Sequence, residues 1–373
     1  MTEARWKEGM LPHVRYDPRY VDDYFPGPDR WPNAQAHVAV PGLLTSGISN
    51  PPILVSATLA LGRRQPSEEL REEFWRRCYP ALRDWIDYLR TSRRLASGPL
   101  VAVVHPWESG WDNSPRWDRL ASARLRPSRP YTRLDAIEVR AADRPTDRDY
   151  DAYLALVELL DGVDYDVEAY RERSPFCVHD VLFDALTYRA ARDLNQLASE
   201  IGEPAPVPAA WLSEFGEAFE EMHWDPELEL YVDFDCVAGS RIRRPTPAGL
   251  AVLWAGLGEP GRRRRAWRRY RELAGDALPV PTVPPSDPAF DPDRSWRGPV
   301  WVNVNWLLAE GLAEDGLRRE ASELREQTLS LVAGGGFAEF FEPAQGLPRG
   351  ARSFSWTAAL TLDLLQKDRK PAG

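Results

Sequence analysis

From Pro51 onward, apolar residues recur at the three- and four-residue intervals of a helix face. "NPPILVSATLALGRR" opens on prolines after Asn50, a helix start, and "SEELREEFWRRCYPALRDWIDYLRTSRR" reads as one long amphipathic helix with a Ser-led cap. Pro80 is expected to kink that helix or split it in two. The same periodicity predicts helices over "DRDYDAYLALVELL", over "VHDVLFDALTYRAARDLNQLASEIG" up to Gly202, and over "PAAWLSEFGEAFEEMHW". Further helices are expected at Pro247–Gly256, Glu259–Ala274, Val300–Glu314, Gly316–Val332 and Ser355–Gln366, with a short one near Trp117 to Leu125. "ELYVDFDC" and "SRIRRPT" alternate as strands do and predict a small β hairpin near 228–246. The fold class is all-α, a succession of helix pairs, read as one domain over residues 1–373.

Loops are the second layer of the pattern. Residues 1–50 are rich in Pro and Gly and read as ordered loop. Long connections in a compact domain are commonly functional, which singles out the stretches Tyr16–Trp31, His105–Arg116, Asp291–Trp301 and Gly334–Gly346. If the helix pairs close into a ring, these loops converge at one end of it.

Composition narrows the function. The chain has 373 residues and a net charge of −10, which argues against a nucleic-acid binder; the run "GRRRRAWRRYREL" is read as a solvated helix face. No apolar run is long enough to span a bilayer, and "MTEARWKEGM" lacks the apolar core of a secretion signal, so a cytoplasmic location is expected. Cys78, Cys177 and Cys236 are distant in sequence and have no paired spacing, so neither a disulfide framework nor a zinc site is implied. The five His lack metal-ligand spacing, and no metal or cofactor is expected. The 15 Trp are more than a core needs and suit a cleft with flat apolar walls.

Three loop stretches carry candidate chemistry. In "HPWESGWDNSPRWD", Glu108 and Asp112 lie among Trp107, Gly110 and Trp111. A carboxyl group beside indoles is desolvated, its pKa rises, and it can then donate a proton near neutral pH. A helix-capping role for Asp112 explains the same spacing equally well. In "GGGFAEFFEPAQG", Glu339 sits among Phe337, Phe340 and Phe341; Glu342 is its rival but is expected to face solvent. In "SWRGPVWVNVNWLL", Trp296, Trp301 and Trp306 recur every five residues, with core packing expected for Trp306, and Arg297 is presented from a turn. Two carboxyl groups with aromatics for a ring's C–H face describe a sugar site, and glycoside hydrolysis needs such a pair.

These stretches, with "GMLPH", "YFPGPDRW", "TSGISNPP" and "DRPTDRDYDAYLALV", resemble the glycoside hydrolase family 63 group that contains mannosylglycerate and glucosylglycerate hydrolases, almost end to end. The resemblance implies an (α/α)6 barrel and inverting hydrolysis of an α-glucoside or α-mannoside, with Asp112 as general acid and Glu339 as general base. It implies Trp107 and Gly110 in the sugar site, substrate contacts from Trp296, Arg297 and Trp301, Arg133 near the site and Tyr24 closing the cleft. The arginines near the motif loops, Arg116, Arg133 and Arg297, are compatible with an anionic aglycone such as glycerate. Relatives in this group begin with a helix pair carrying a "QWxWD"-like stretch that this sequence does not contain, so an N-terminally incomplete ring with exposed apolar helix faces is expected. The expected partner is a small sugar substrate, with no nucleic acid and no membrane, and a homo-oligomer is left open. Two other readings stand beside this one: trehalase-like cleavage of di- or oligosaccharides, and a non-catalytic sugar-binding relic of the barrel.

Overall fold

The computed structural model describes residues 2–366 except 136, 138 and 278. Its N-terminal layer holds β1 (Arg15–Tyr16), the single turn α1 (Ala34–His37) and β2 (Leu44–Thr45), with β1 and β2 paired antiparallel. Then come α2 (Ile53–Arg63) and α3 (Glu68–Thr91). Ser67 caps α3 by accepting the Leu70 N–H at 3.2 Å. α3 runs unbroken through Pro80. Proline removes one hydrogen bond there, while Tyr79, Leu82 and Trp85 on both sides of it are buried and hold the two halves to one core.

The middle of the chain forms α4 (Asp147–Gly162), α5 (Val167–Arg173), β3 (Val178–His179), α6 (Val181–Glu200) and α7 (Ala209–His223). Four short strands follow, β4 (Trp224–Asp225), β5 (Leu230–Tyr231), β6 (Asp233–Asp235) and β7 (Ser240–Ile242). β6 and β7 make the hairpin expected near 228–246, but β5 pairs with β4 instead, and β3 adds itself to the hairpin to give the order β3-β6-β7. The remainder is α8 (Ala251–Ala255), α9 (Pro260–Ala274), α10 (Val302–Glu314), α11 (Arg318–Gly335), β8 (Phe340–Phe341), β9 (Pro348–Arg349) and α12 (Ser355–Gln366). The stretch after Pro115 is a 3-10 run to Ala123 rather than an α-helix.

Packing makes the helices a toroid of hairpins, the (α/α)6-barrel type. α2 packs on α6, α6 on α8, α8 on α10 and α10 on α12, while α3, α7 and α11 back α2, α6 and α10. One large core of Trp, Leu, Val and Ala side chains runs through this arrangement. The ends of the inner series, α2 and α12, are joined by an ion pair of Arg64 and Asp363 at 2.5 Å. Both ends leave apolar side chains open: Leu61 is 51% exposed on α2, and Leu362 is 61% exposed on α12. No helix among the described residues is long and apolar enough to cross a membrane.

Candidate active site

The loop from His105 is built before its acid is presented. His105 caps the 3-10 turn Pro106–Ser109, its Nδ1 accepting the Trp107 N–H at 3.1 Å while Nε2 donates to the Tyr153 carbonyl at 2.9 Å. Burial pulls the imidazole pKa down to about 4, which keeps the ring in the neutral form this pattern requires. Glu108 is fully buried and accepts two bonds from Arg93, at 2.8 and 2.6 Å, and the N–H groups of Ser49 and Val104, both at 2.9 Å. Burial alone would push this carboxyl up; Arg93 and the N–H donors outweigh it and hold it below its ordinary value. Glu108 is thereby an anchor of the loop and not a free acid. Gly110 then turns the chain at φ +70°, a conformation that suits glycine, and ends the 3-10 turn.

Asp112 follows two residues later. Its side chain is half-buried, and the Tyr153 hydroxyl donates to its backbone carbonyl at 2.7 Å, fixing the loop onto α4. Burial pushes the carboxyl up to about 6; the Arg144 charge and the N–H groups of Asp112 and Asn113 work against that rise, and the charge of Glu339 adds to it. The capping interactions of the following 3-10 run come from the Ser114 hydroxyl, which accepts from Arg116 N–H, so Asp112 is not spent as its cap. Beside Asp112 a cavity of about 20 Å³ is walled by Asn113, Asp118, Arg148, Asp149, Tyr153 and Arg297, room for about one water.

Glu339 comes from the segment between α11 and β8, and its charge is felt by Asp112. It is 6% exposed, and its N–H donates to the Ala351 carbonyl at 2.9 Å. Arg144 grips it with two parallel bonds, Nη1 to Oε1 at 2.8 Å and Nη2 to Oε2 at 2.9 Å, and Ala351 N–H donates to Oε2 at 2.8 Å. Oε2 therefore has two donors and Oε1 one. A Cβ on Gly350 would collide with this carboxylate, so glycine is what allows the approach. Glu342, expected to face solvent, is instead buried at 9%, accepting the N–H groups of Ala344 and Gln345 at 2.7 and 2.8 Å as the cap of its turn.

The tryptophans divide differently from expectation. Trp111, Trp296 and Trp301 form one stack, with ring centroids 5.1 and 3.7 Å apart, and Trp301 continues onto Phe340 at 5.2 Å. Trp296 and Trp301 are each 3% exposed and stack behind Trp111, next to the loop that carries Asp112. Trp306, assigned to the core by its spacing, is only half-buried and donates to Asp363 at 2.8 Å. Trp107 is half-buried and packs on His105, Tyr150 and Tyr153.

The arginines also part company. Arg116 is 1% exposed, with Nη1 bonded to Asp180 at 3.2 Å and Asp233 at 2.9 Å and its guanidinium against Trp111 and Trp117, so it braces the loop from behind and is out of reach of a ligand. Arg297 lines the cavity next to Asp112 while held by Asp118 at 2.6 and 2.9 Å. Arg133 is neutralised by Asp135 and Asp147, at 2.7 and 2.9 Å, and lies 4.2 Å over Tyr150, one ring removed from Trp107. Tyr24 packs edge-on against Tyr16 at 5.0 Å in the N-terminal layer; its neighbour Phe25, not Tyr24, stacks on Tyr150, at 5.9 Å. Arg144 is the residue the sequence reading passed over. Its signal was its place, directly before the Pro-Thr that opens α4 with a Thr146/Asp149 capping box.

Comparison with known proteins gives this geometry its context. Residues 1–357 match the model of the mannosylglycerate hydrolase MGH1-like glycoside hydrolase domain. A mannosylglycerate hydrolase of Thermus thermophilus is 39% identical over 95% of this chain and 85% of its own length. A glucosylglycerate hydrolase of Mycolicibacterium hassiacum is 35% identical over 98% of this chain and 85% of its own. The crystal structure of the family 63 mannosylglycerate hydrolase of Thermus thermophilus in complex with Tris and D-glycerate superposes with a TM-score of 0.87 at 37% identity, covering 98% of this chain and 86% of that one.

Proposed function

This chain belongs to the mannosylglycerate hydrolase MGH1-like glycoside hydrolase family and is a glycoside hydrolase; from that premise we propose that it cleaves the α-glycosidic bond of a small hexosyl glycerate with inversion, Asp112 acting as general acid and Glu339 as general base. The observation that carries the reading is Asp112 itself: burial pushes its carboxyl up to about 6, and it feels the charges of Glu339 and of Arg144, which grips Glu339 by two bonds. A carboxyl group at that value is still protonated in part near neutrality. It transfers its proton to the glycosidic oxygen as the C–O bond breaks, while water attacks the anomeric carbon from the opposite face and gives its proton to Glu339. Oε1 of Glu339 is the oxygen suited to that water, because Oε2 is held by Ala351 and Arg144 together. Arg144 holds Glu339 in place through two charge-assisted bonds. Residues 1–373 act here as one catalytic domain, a reading supported by the family match over 1–357. Glycerate as aglycone is supported by the two relatives named above and by the family 63 structure that holds D-glycerate. A cytoplasmic location is supported by the free thiols of Cys78, Cys177 and Cys236.

The test is proton NMR of the purified chain with α-mannosylglycerate and with α-glucosylglycerate, following the anomeric signal of released sugar. The β-anomer is expected first, relaxing later to the equilibrium mixture. Release of the α-anomer overturns inversion, and silence with both substrates from a folded protein overturns the hydrolytic reading in favour of a binding-only barrel. Turnover of trehalose at a higher kcat/KM than either α-mannosylglycerate or α-glucosylglycerate overturns the substrate assignment.

A further inference from the structure

Cys177 and Cys236 are remote in sequence and adjacent in the fold. β3 pairs antiparallel with β6 so that Val178 faces Asp235 and His179 faces Phe234. The next rung is Cys177 opposite Cys236, closed by the Cys236 N–H donating to the Cys177 carbonyl at 2.9 Å. Side chains directly opposed on an antiparallel pair project to one face with Cβ atoms ~4.5–5.5 Å apart, and a hydrogen-bonded rung has Cα atoms ~5.5 Å apart. The Cα separation falls within the range a disulfide spans, and the Cβ atoms must draw together by up to ~1 Å to reach its ~3.5–4.5 Å. The Cys236 thiol is held up foremost by its neighbour Cys177, in keeping with two side chains on one face of the strand pair. Both are free thiols, Cys177 buried and Cys236 half-exposed, so a small oxidant reaches one sulfur while the other waits beside it.

We propose that Cys177 and Cys236 are a reversible thiol–disulfide pair, closed by a peroxide and opened by a dithiol reductant. In the first step the Cys236 thiolate attacks one peroxide oxygen, the O–O bond breaks, and water leaves with the released proton, giving Cys236 sulfenic acid. In the second step the Cys177 sulfur attacks the Cys236 sulfur, the S–O bond breaks, and a second water leaves. Two electrons pass from the two sulfurs to hydrogen peroxide, and the products are one disulfide and two waters. The Cys177 contact and burial hold the Cys236 thiol above its ordinary range, so closure is slow at neutral pH and quickens as pH rises.

The bond would fasten the two strands that hold Arg116. Asp233 lies in β6, Asp180 directly follows β3, and both accept from the Arg116 guanidinium behind Trp111. It would also close the long segment holding α6 and α7, and closing a long loop stabilises a fold by restricting its unfolded chain.

The experiment exposes the full chain to hydrogen peroxide, quenches it, labels remaining thiols under denaturing conditions and maps the peptides by mass spectrometry. Two of three thiols should disappear, with the peptides of Cys177 and Cys236 joined, and dithiothreitol should restore all three. The Cys78→Ser variant should behave like the parent, whereas Cys236→Ser should give no joined peptide. The linked protein should unfold at a higher temperature than the reduced one, a rise that Cys236→Ser lacks. Three persistent thiols, Cys236 halted at sulfinic acid without a joined peptide, or a joined peptide containing Cys78 would each overturn the proposal.

Discussion

Arg144 binds one carboxyl group, Glu339, and its charge acts on a second, Asp112. With Asp112 required in its protonated form, kcat/KM should fall as pH rises through about 6, the value burial gives that carboxyl. Because Arg144 favours the ionised form of Asp112, replacing it with methionine removes a pull downward, and the falling limb should move to higher pH. kcat should fall in the same variant, since Glu339 loses both guanidinium bonds. A limb that stays in place would sever Arg144 from Asp112. Tyr153→Phe deletes the hydroxyl that holds the Asp112 carbonyl; about tenfold in kcat/KM is expected, with little change in Tm, the kinetic equivalent of about 1.4 kcal/mol of lost positioning. Asp112 and Glu339 stood out as candidates in the sequence because aromatic residues are their chain neighbours. Arg144 did not, because its partner Glu339 lies 195 residues further along the chain. Arg116 was misplaced for the same reason: nothing local tells that Asp180 and Asp233 close around it.

At the scale of elements, the site depends on a single 3-10 turn, and the turn depends on Glu108. Glu108→Gln leaves Arg93 buried without its counter-charge, and breaking a buried pair on one side costs about 3–5 kcal/mol. Chemical denaturation should register that loss, with activity falling only as the folded fraction falls. The pH dependence has a definite sign. Glu108 is held below its ordinary value in the folded chain, so its stabilisation is present above the unfolded carboxylate pKa and is lost as pH falls towards the folded one. The variant's Tm should therefore fall less steeply on acidification than the parent's; parallel curves would refute the role. Helix starts were the most legible elements, as Ser67 and the Thr146/Asp149 box cap where their sequence says they should. The two-residue strands were the least legible. β3, β4 and β5 are too short for an alternating pattern and exist through their partners, not through their own composition.

For the whole molecule, the helical periodicity carried the architecture, because each amphipathic stripe needs a neighbour and consecutive pairs supply it. What periodicity could not give is which aromatics face the ligand. Spacing treats Trp296, Trp301 and Trp306 alike, yet two of them are buried in the Trp111 stack and the third lies partly open against Asp363. The candidate loops were foreseeable; the pairing of Arg144 with Glu339, and the pull of both charges on Asp112, were not. The acid and base roles of Asp112 and Glu339 are the central claim, tested most directly by assaying Asp112→Asn and Glu339→Gln on mannosylglycerate and glucosylglycerate beside the parent, with circular dichroism to verify each fold. Each variant should lose kcat by a factor on the order of 10²–10⁴ while remaining folded. A folded variant that turns over at close to the parent's rate would contradict the assignment of that residue as acid or base.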